Sequence, residues 1–369
     1  MCRVAVFFGG ISPEREISVL TGVFVLNVLD RQKYEILPVY VGADGRFYTS
    51  DSMFNLEAFK KGKAAFRPIF FDGGNAYAWD KKGKKATRLG KVDVALNCCH
   101  GGVGEGGLIS ALAKAQGWAC ASPGTAASGL FMSKSTTKFL AKGLGIPVVD
   151  YVRVSEKDYR KRGKYLLKTV ALRLKYPVIV KPDGLGSSIG VCIANDEKEL
   201  ASALDTAFTL DGVAIVEKLV QGKKDVNCAA YLLQGEVILS EAEVASADEG
   251  VYDFEKKYLS GGDFLKGGGR AVLGGKYREK IREYTKLLYR RLGLCGVIRA
   301  DYLLGEDGSI YLSEINAVPG SLAYYLFCEK LSDARLFFGD LIEEGRLQKA
   351  REEKQIPSTG VLSTLSLRK

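Results

Sequence analysis

The sequence predicts an α/β chain of two or three domains with a parallel sheet at its N-terminus. Three observations carry this. At 369 residues, 47% hydrophobic and 26% charged, the chain is long enough to bury ample core and to divide into domains. Its first third alternates strands with helices, the βαβ rhythm of a parallel sheet. Further on, an apolar run ends in a lysine and a glycine–serine loop, and two later runs flank an Asp-Gly turn.

Taken in order, residues 2–8 read as a strand, 14–30 as a helix, 34–41 and 92–97 as strands, and 107–115 as a helix. Residues 42–90, rich in Gly, Lys and aromatics, read as an insertion. A second unit begins near Pro123. It holds a helix at 133–143, a strand at 151–154, a helix through 168–174, a strand at 178–180, a helix at 197–210 and a strand at 213–219. The remainder opens with strands at 225–233 and 236–243 and crosses a Gly-rich segment at 252–270. It ends in a long helix, a hairpin and a C-terminal helix.

No apolar run approaches the roughly 20 residues that span a bilayer, and the N-terminal MCRVAVFFGG reads as a first strand rather than a signal peptide. The eight cysteines show no C-x-x-C spacing, so neither a zinc site nor a disulfide framework is indicated. A reduced, cytoplasmic setting follows as the expectation. The net charge of +10 is spread along the chain. It fits an anionic small substrate better than nucleic acid, for which no helix-turn-helix or aromatic platform is present.

Lys181 follows Val178-Ile179-Val180, so its stem leaves a buried strand and its ammonium meets the loop at 184–190. Glycines there can turn backbone N–H groups into an anion nest, and Ser187 and Ser188 add hydroxyl donors. Such a loop suits a nucleotide's phosphates, although the segment alone also fits a plain turn. It is neither a Walker loop nor a dinucleotide fingerprint.

The runs VIRADYLL and IYLSEIN flank GEDGS, whose Asp307-Gly308 predicts a two-residue hairpin turn. Pairing about that turn sets Glu306 against Ser309, Asp301 against Glu314 and Arg299 against Asn316. Alternation then puts those last four residues on one face, with Ile298, Ala300, Tyr302, Tyr311 and Ile315 on the other. Two opposed carboxylates need a cation between them, and hard oxygen donors suit Mg²⁺ together with phosphate. The alternative is a solvated face with an Arg–Asp pair.

The lysine, the GSS loop and the R-x-D…E-x-N hairpin followed by Pro-Gly resemble the ATP-grasp ligases. Within them, FFGGISPEREIS, Cys99-His-Gly-Gly and YDFEKKYLS resemble the D-alanine–D-alanine ligase family, with motifs in family order over nearly the whole chain. The resemblance implies an ATP-grasp fold, an α/β substrate-binding domain at 1–122 with its insertion near 42–90. Two α+β sheet domains, at 123–220 and 221–369, would clamp ATP, the latter carrying a lid at 250–270 and the hairpin at 297–316. It implies that two D-alanines are joined through a D-alanyl phosphate for peptidoglycan synthesis, with ATP and Mg²⁺ or Mn²⁺, two ions, as cofactors. A cytoplasmic homodimer with no nucleic-acid or membrane partner is the matching expectation.

The same resemblance assigns roles. Lys134, Lys181, Ser188 and Lys257 would contact ATP phosphates, Glu217 with the Lys218 and Leu219 backbone the adenine, and Asp225 the ribose. Asp301, Glu314 and Asn316 would hold metal, while Arg299 and the Gly320 N–H would form an oxyanion site. Glu14 would hold the first substrate's ammonium, with Ser187 and Tyr258 as its partners. Glu14 also suits the start of a helix capped by Ser12, with Pro13 at the first helical position. His100, the only histidine, ends an apolar strand before a glycine run and would lie near the second substrate.

Four positions depart from the family pattern: Gly106, Ser133 and Leu185 each stand where an acid is usual, and Tyr325 stands where a serine helps bind the second substrate's carboxylate. They leave open a ligase of the same type with another acceptor amino acid. A nucleotide-binding regulator without catalysis is a further alternative, against which the retained Arg299 argues.

Overall fold

The computed structural model describes residues 1–60, 66–80, 82–245 and 272–352. Three sheets organise them. The first has eight strands in the order Ala86–Lys91, Asn75–Trp79, Arg67–Asp72, Phe47–Thr49, Tyr34–Val41, Cys2–Gly9, Val94–Asn97 and Ala119–Cys120. Cys2–Gly9 lies between parallel neighbours and is buried from Val4 onward, as a strand covered on both faces must be.

Residues 42–90 therefore continue the sheet: four antiparallel strands extend it beyond Tyr34–Val41. Their aromatics join the first strand's underside, with Phe7 edge-on to Phe47 and Phe71 edge-on to Trp118.

The first helix is Arg15–Val28 rather than one capped by Ser12. Ser12 instead closes the turn before it, accepting from the Glu14 N–H. That helix packs close to the strand it follows, because Gly22 leaves no room for a Cβ, which would meet Phe8 at 2.3 Å. The C-terminal helix Leu331–Glu352 joins the same core. Phe337, Phe338, Leu341 and Ile342 share one cluster with Val4, Val6, Phe8 and Phe24.

The second sheet runs Cys192–Ala194, Val178–Pro182, Val213–Lys218, Tyr151–Ser155, covered by helices Glu156–Leu174 and Glu197–Phe208. Both helices begin at a capping side chain, Ser155 and Asp196 respectively. The third sheet runs Glu236–Leu239, Lys224–Leu233, Ile298–Leu304, Ile310–Asn316, with Glu243–Val244 also paired to Lys224–Leu233. The expected strand at 236–243 is thus two short pieces. Helix Gly275–Arg291 packs on this sheet, and Ala141 of helix Lys134–Gly143 joins the same core. No helix among the described residues is long and apolar enough to cross a membrane.

Candidate active site

Lys181 and Glu217 sit on adjacent antiparallel strands, Lys181 opposite Ile215 and Glu217 two residues on, so both share a face. Lys181 Nζ lies 2.9 Å from one Glu217 oxygen and Lys138 Nζ 3.1 Å from the other. The Glu217 and Lys138 side chains are each only 1% exposed. Burial would raise the Glu217 carboxyl, but the two lysines outweigh it and hold it below the usual range. Two cations on one buried anion leave one positive charge in excess, at the strand end that opens into the glycine–serine loop. Lys138 was not anticipated as a site residue, although it lies one helical turn after Lys134.

Within the loop, Ser187 and Ser188 take left-handed φ of 52° and 56°, and Gly190 does so at 71°. The serines thus make the turn expected of Gly184 and Gly186. Ser187 donates to Glu14 Oε1 at 2.5 Å, joining the loop to the start of the first helix. Gly101 underlies that carboxylate: its φ is 65°, and a Cβ there would meet Glu14 Oε2 at 2.4 Å and Ser12 Oγ at 2.5 Å. Ser133 donates to Asp183 at 2.6 Å while capping the helix that carries Lys134. Lys134 Nζ reaches the Leu185 carbonyl and lies 3.5 Å from Glu314.

The hairpin pairs Arg299 with Asn316 and Asp301 with Glu314, as expected. The turn differs. Gly305 N–H bonds the Ser309 carbonyl and Gly308 N–H the Gly305 carbonyl, so the loop is longer than two residues. A register shift beside Asp301 then pairs Tyr302 with Leu312, leaving Ser313 as the extra residue. Leu312 rather than Tyr311 consequently joins Ile315 in the core.

Arg299 grips Asp301 with two bonds, 2.7 and 2.8 Å. Asn316 donates to the same carboxylate at 2.9 Å, and Arg299 also reaches the Tyr325 hydroxyl at 3.2 Å. Burial works against the guanidinium's charge, but Asp301 and Tyr325 outweigh it. Each acid of the pair therefore has its own cation, Arg299 for Asp301 and Lys134 for Glu314.

Among the described residues no group of three His, Cys, Asp or Glu converges as a metal site. Asp301, Glu314 and Asn316 offer two carboxylates and one amide. This is too few for a self-sufficient cage but fits Mg²⁺ that brings phosphate and water oxygens with it.

Beyond the hairpin, Ser321, Leu322 and Ala323 adopt φ of 51° to 53°. Each left-handed non-glycine residue costs roughly 1–2 kcal/mol, and burial of Leu322 and Ala323 against the first helix's core holds them there. His100 Nδ1 lies 2.7 Å from the Val318 carbonyl and Nε2 2.8 Å from Thr21 Oγ1. Facing a carbonyl, Nδ1 carries the hydrogen, so Nε2 accepts from Thr21. Burial pushes the imidazole down to about 4. Both ring nitrogens are therefore engaged by the protein. Glu105 accepts from Gly101 N–H at 2.8 Å and Val318 N–H at 3.1 Å, and burial pushes its carboxyl up to about 7.

The remaining expected residues gather less closely. The N–H groups of Lys218 and Leu219 are bonded to the carbonyls of Asp150 and Pro177, so both donors are used within the fold. Asp225 is exposed and paired with Lys223. Ser188 carries its left-handed φ beside Ser187, and Gly320 opens the turn after Pro319. Lys257, Tyr258 and the expected lid at 250–270 lie outside the described residues.

Comparison with known proteins bears on this geometry. A family model described as D-ala D-ala ligase N-terminus matches residues 3–122, and one described as D-ala D-ala ligase C-terminus matches 140–344. A D-alanine–D-alanine ligase of Thermosipho africanus is 33% identical over 330 residues, 89% of this chain and 88% of that one. The ligase of Helicobacter pylori strain P12 is 34% identical over 325 residues, 87% and 89% of the two chains. A crystal structure of the Helicobacter pylori ligase superimposes with a TM-score of 0.74 at 28% identity, covering 97% of this chain and all of that one.

Proposed function

The chain belongs to the D-alanine–D-alanine ligase family, and from that premise we propose how its residues divide the reaction. It is an ATP-dependent ligase of the ATP-grasp fold that joins two D-alanines for peptidoglycan synthesis. The observation that carries the assignment of roles is the hairpin face of Arg299, Asp301, Glu314 and Asn316, which runs directly into Gly320.

Glu14, held by Ser187, receives the first D-alanine's ammonium. Lys134 and Lys181 hold the phosphates of ATP beside the Ser187–Ser188 turn. Lys138 keeps Glu217 neutralised when Lys181 turns from it to a phosphate. Asp301, Glu314 and Asn316 hold Mg²⁺, which when bound neutralises phosphate charge. The first carboxylate attacks the γ-phosphorus, ADP departs, and an acyl phosphate forms. The second D-alanine's amine attacks the acyl carbon, loses a proton, and the tetrahedral intermediate expels phosphate. Arg299 and the Gly320 N–H face the oxygen that gains charge in that attack. His100 acts through the Val318 backbone, and Tyr325 borders the acceptor's place. A cytoplasmic homodimer is the setting we assign.

The test is phosphate release from ATP and Mg²⁺ with D-alanine as sole amino acid, the product weighed by mass spectrometry. D-Alanyl-D-alanine is expected. Release that appears only when a second amino acid is added would show that Tyr325 has changed the acceptor.

A further inference from the structure

We infer that Glu105 and Thr21 are positioning residues that set the oxyanion donor at Gly320 against the first substrate's site. The inference rests on the reading of Gly320 given above.

The peptide groups around Gly320 are held from outside their own sheet. Strand Ile310–Asn316 ends four residues earlier, so ladder bonds no longer fix the backbone. The Val318 N–H goes to Glu105 and its carbonyl to His100. The Ser321 N–H goes to Thr21 Oγ1 at 3.1 Å. Three bonds thus bracket Gly320, two residues before it and one after. All three partners come from the first sheet's region, more than 200 residues away in sequence.

The directions agree throughout. His100 Nδ1 donates to Val318, so Nε2 must accept, and the Thr21 hydroxyl supplies the hydrogen. Thr21 Oγ then has lone pairs left for the Ser321 N–H. Glu105 uses its other oxygen on the Gly101 N–H, and Gly101 is the residue on which the Glu14 carboxylate rests. One carboxylate therefore ties the floor of the ammonium site to the loop that leads into Gly320. Glu105, His100 and Thr21 are 8%, 4% and 1% exposed. A bond network that satisfied only its own members would stabilise the fold. This one sends three of its bonds to the backbone of a single loop, at Val318 and Ser321, and misplacing a catalytic group by about 1 Å costs on the order of 10²-fold in rate.

The experiment compares Glu105→Gln, Thr21→Val and Thr21→Ser in the full chain, reading amide hydrogen exchange over residues 317–323, kcat and KM for ATP. Gln has one acceptor where two N–H groups need one each. Val keeps the shape of Thr without the hydroxyl, and serves if the Gln variant does not fold. Exchange should quicken in Glu105→Gln and Thr21→Val and return in Thr21→Ser. Kcat should fall by about 10²-fold with KM for ATP unchanged. Native exchange protection in both variants, or a kcat loss matched by a rise in KM for ATP, would overturn the inference. If exchange quickens as expected but the unaltered enzyme makes no D-alanyl-D-alanine, the clamp stands and the assigned reaction fails instead.

Discussion

The Arg299 guanidinium lies 3.2 Å from the Tyr325 hydroxyl while its other nitrogens hold Asp301. A phenol at the proposed acceptor site thus adds a third hydrogen bond to the proposed oxyanion arginine. Tyr325→Phe removes a hydrogen bond to a charged group, worth roughly 1.5–3 kcal/mol. We expect kcat/KM for the acceptor amino acid to fall about tenfold or more, with KM for ATP unaltered. Steady-state kinetics with the acceptor varied checks this, and unchanged acceptor kinetics would remove Tyr325 from the site.

Gly101→Ala tests the floor of the ammonium site. The added methyl would meet Glu14 Oε2 at 2.4 Å and Ser12 Oγ at 2.5 Å on a backbone with φ of 65°. Glu14 must shift, so KM for D-alanine should rise at least about tenfold, an interaction of about 1.4 kcal/mol. A titration of the initial rate with D-alanine measures it; a variant that keeps the native KM would show that Glu14 contacts no substrate.

Lys138 and Lys181 share one carboxylate but differ in burial, with side chains 1% and 14% exposed. Removing one partner of a buried pair costs about 3–5 kcal/mol. Lys138→Ala should lower unfolding stability by that order, whereas Lys181→Ala should abolish turnover with a smaller loss of stability. Urea denaturation and turnover of both variants decide it. Equal stability losses would place both lysines in the core alone.

The pH dependence of stability follows from two groups of opposite sign. His100 is depressed from 6.5 to about 4, so its contribution is full above pH 6.5 and is lost as pH falls through about 4. Glu105 is raised from 4.5 to about 7, so its contribution is full below 4.5 and is lost as pH rises through about 7. The two slopes oppose each other between those limits. The stability difference between the native chain and His100→Gln should therefore shrink steadily as pH is lowered from 6.5, measured by denaturant midpoints. A difference that stays constant across that range would mean that His100 titrates normally in the fold.

Much of the site was legible because its residues are close in sequence and lie on regular elements. Lys181 at a strand end, Ser187 and Ser188 behind it, and the Arg299–Asp301–Glu314–Asn316 face each need only a period of two or a local turn. The hairpin register came out as expected at the site through two compensating departures. The loop at 305–309 is longer than the Asp-Gly turn implied, and the extra residue at Ser313 restores the pairing of Asp301 with Glu314. Lys138, Thr21 and Glu105 were not read as site residues. Lys138 resembles any helical lysine until Glu217 is seen buried beside it. Thr21 and Glu105 find partners 300 and 213 residues away.

Read alone, the chain yields the order of elements and the residue types that can handle phosphate, metal and an ammonium group, and its motifs carry the family resemblance. Elements and faces follow from local spacing, since side-chain direction within a strand or helix is set by backbone geometry. Which of them meet is settled in three dimensions. Lys138 joins Lys181 on Glu217, Lys134 lies near Glu314, and Val318 is held at both ends by His100 and Glu105. The reason is physical: these are short-range bonds between distant segments, made where four hydrophobic cores pack and orient the sheets. Periodicity within a segment contains nothing about that orientation.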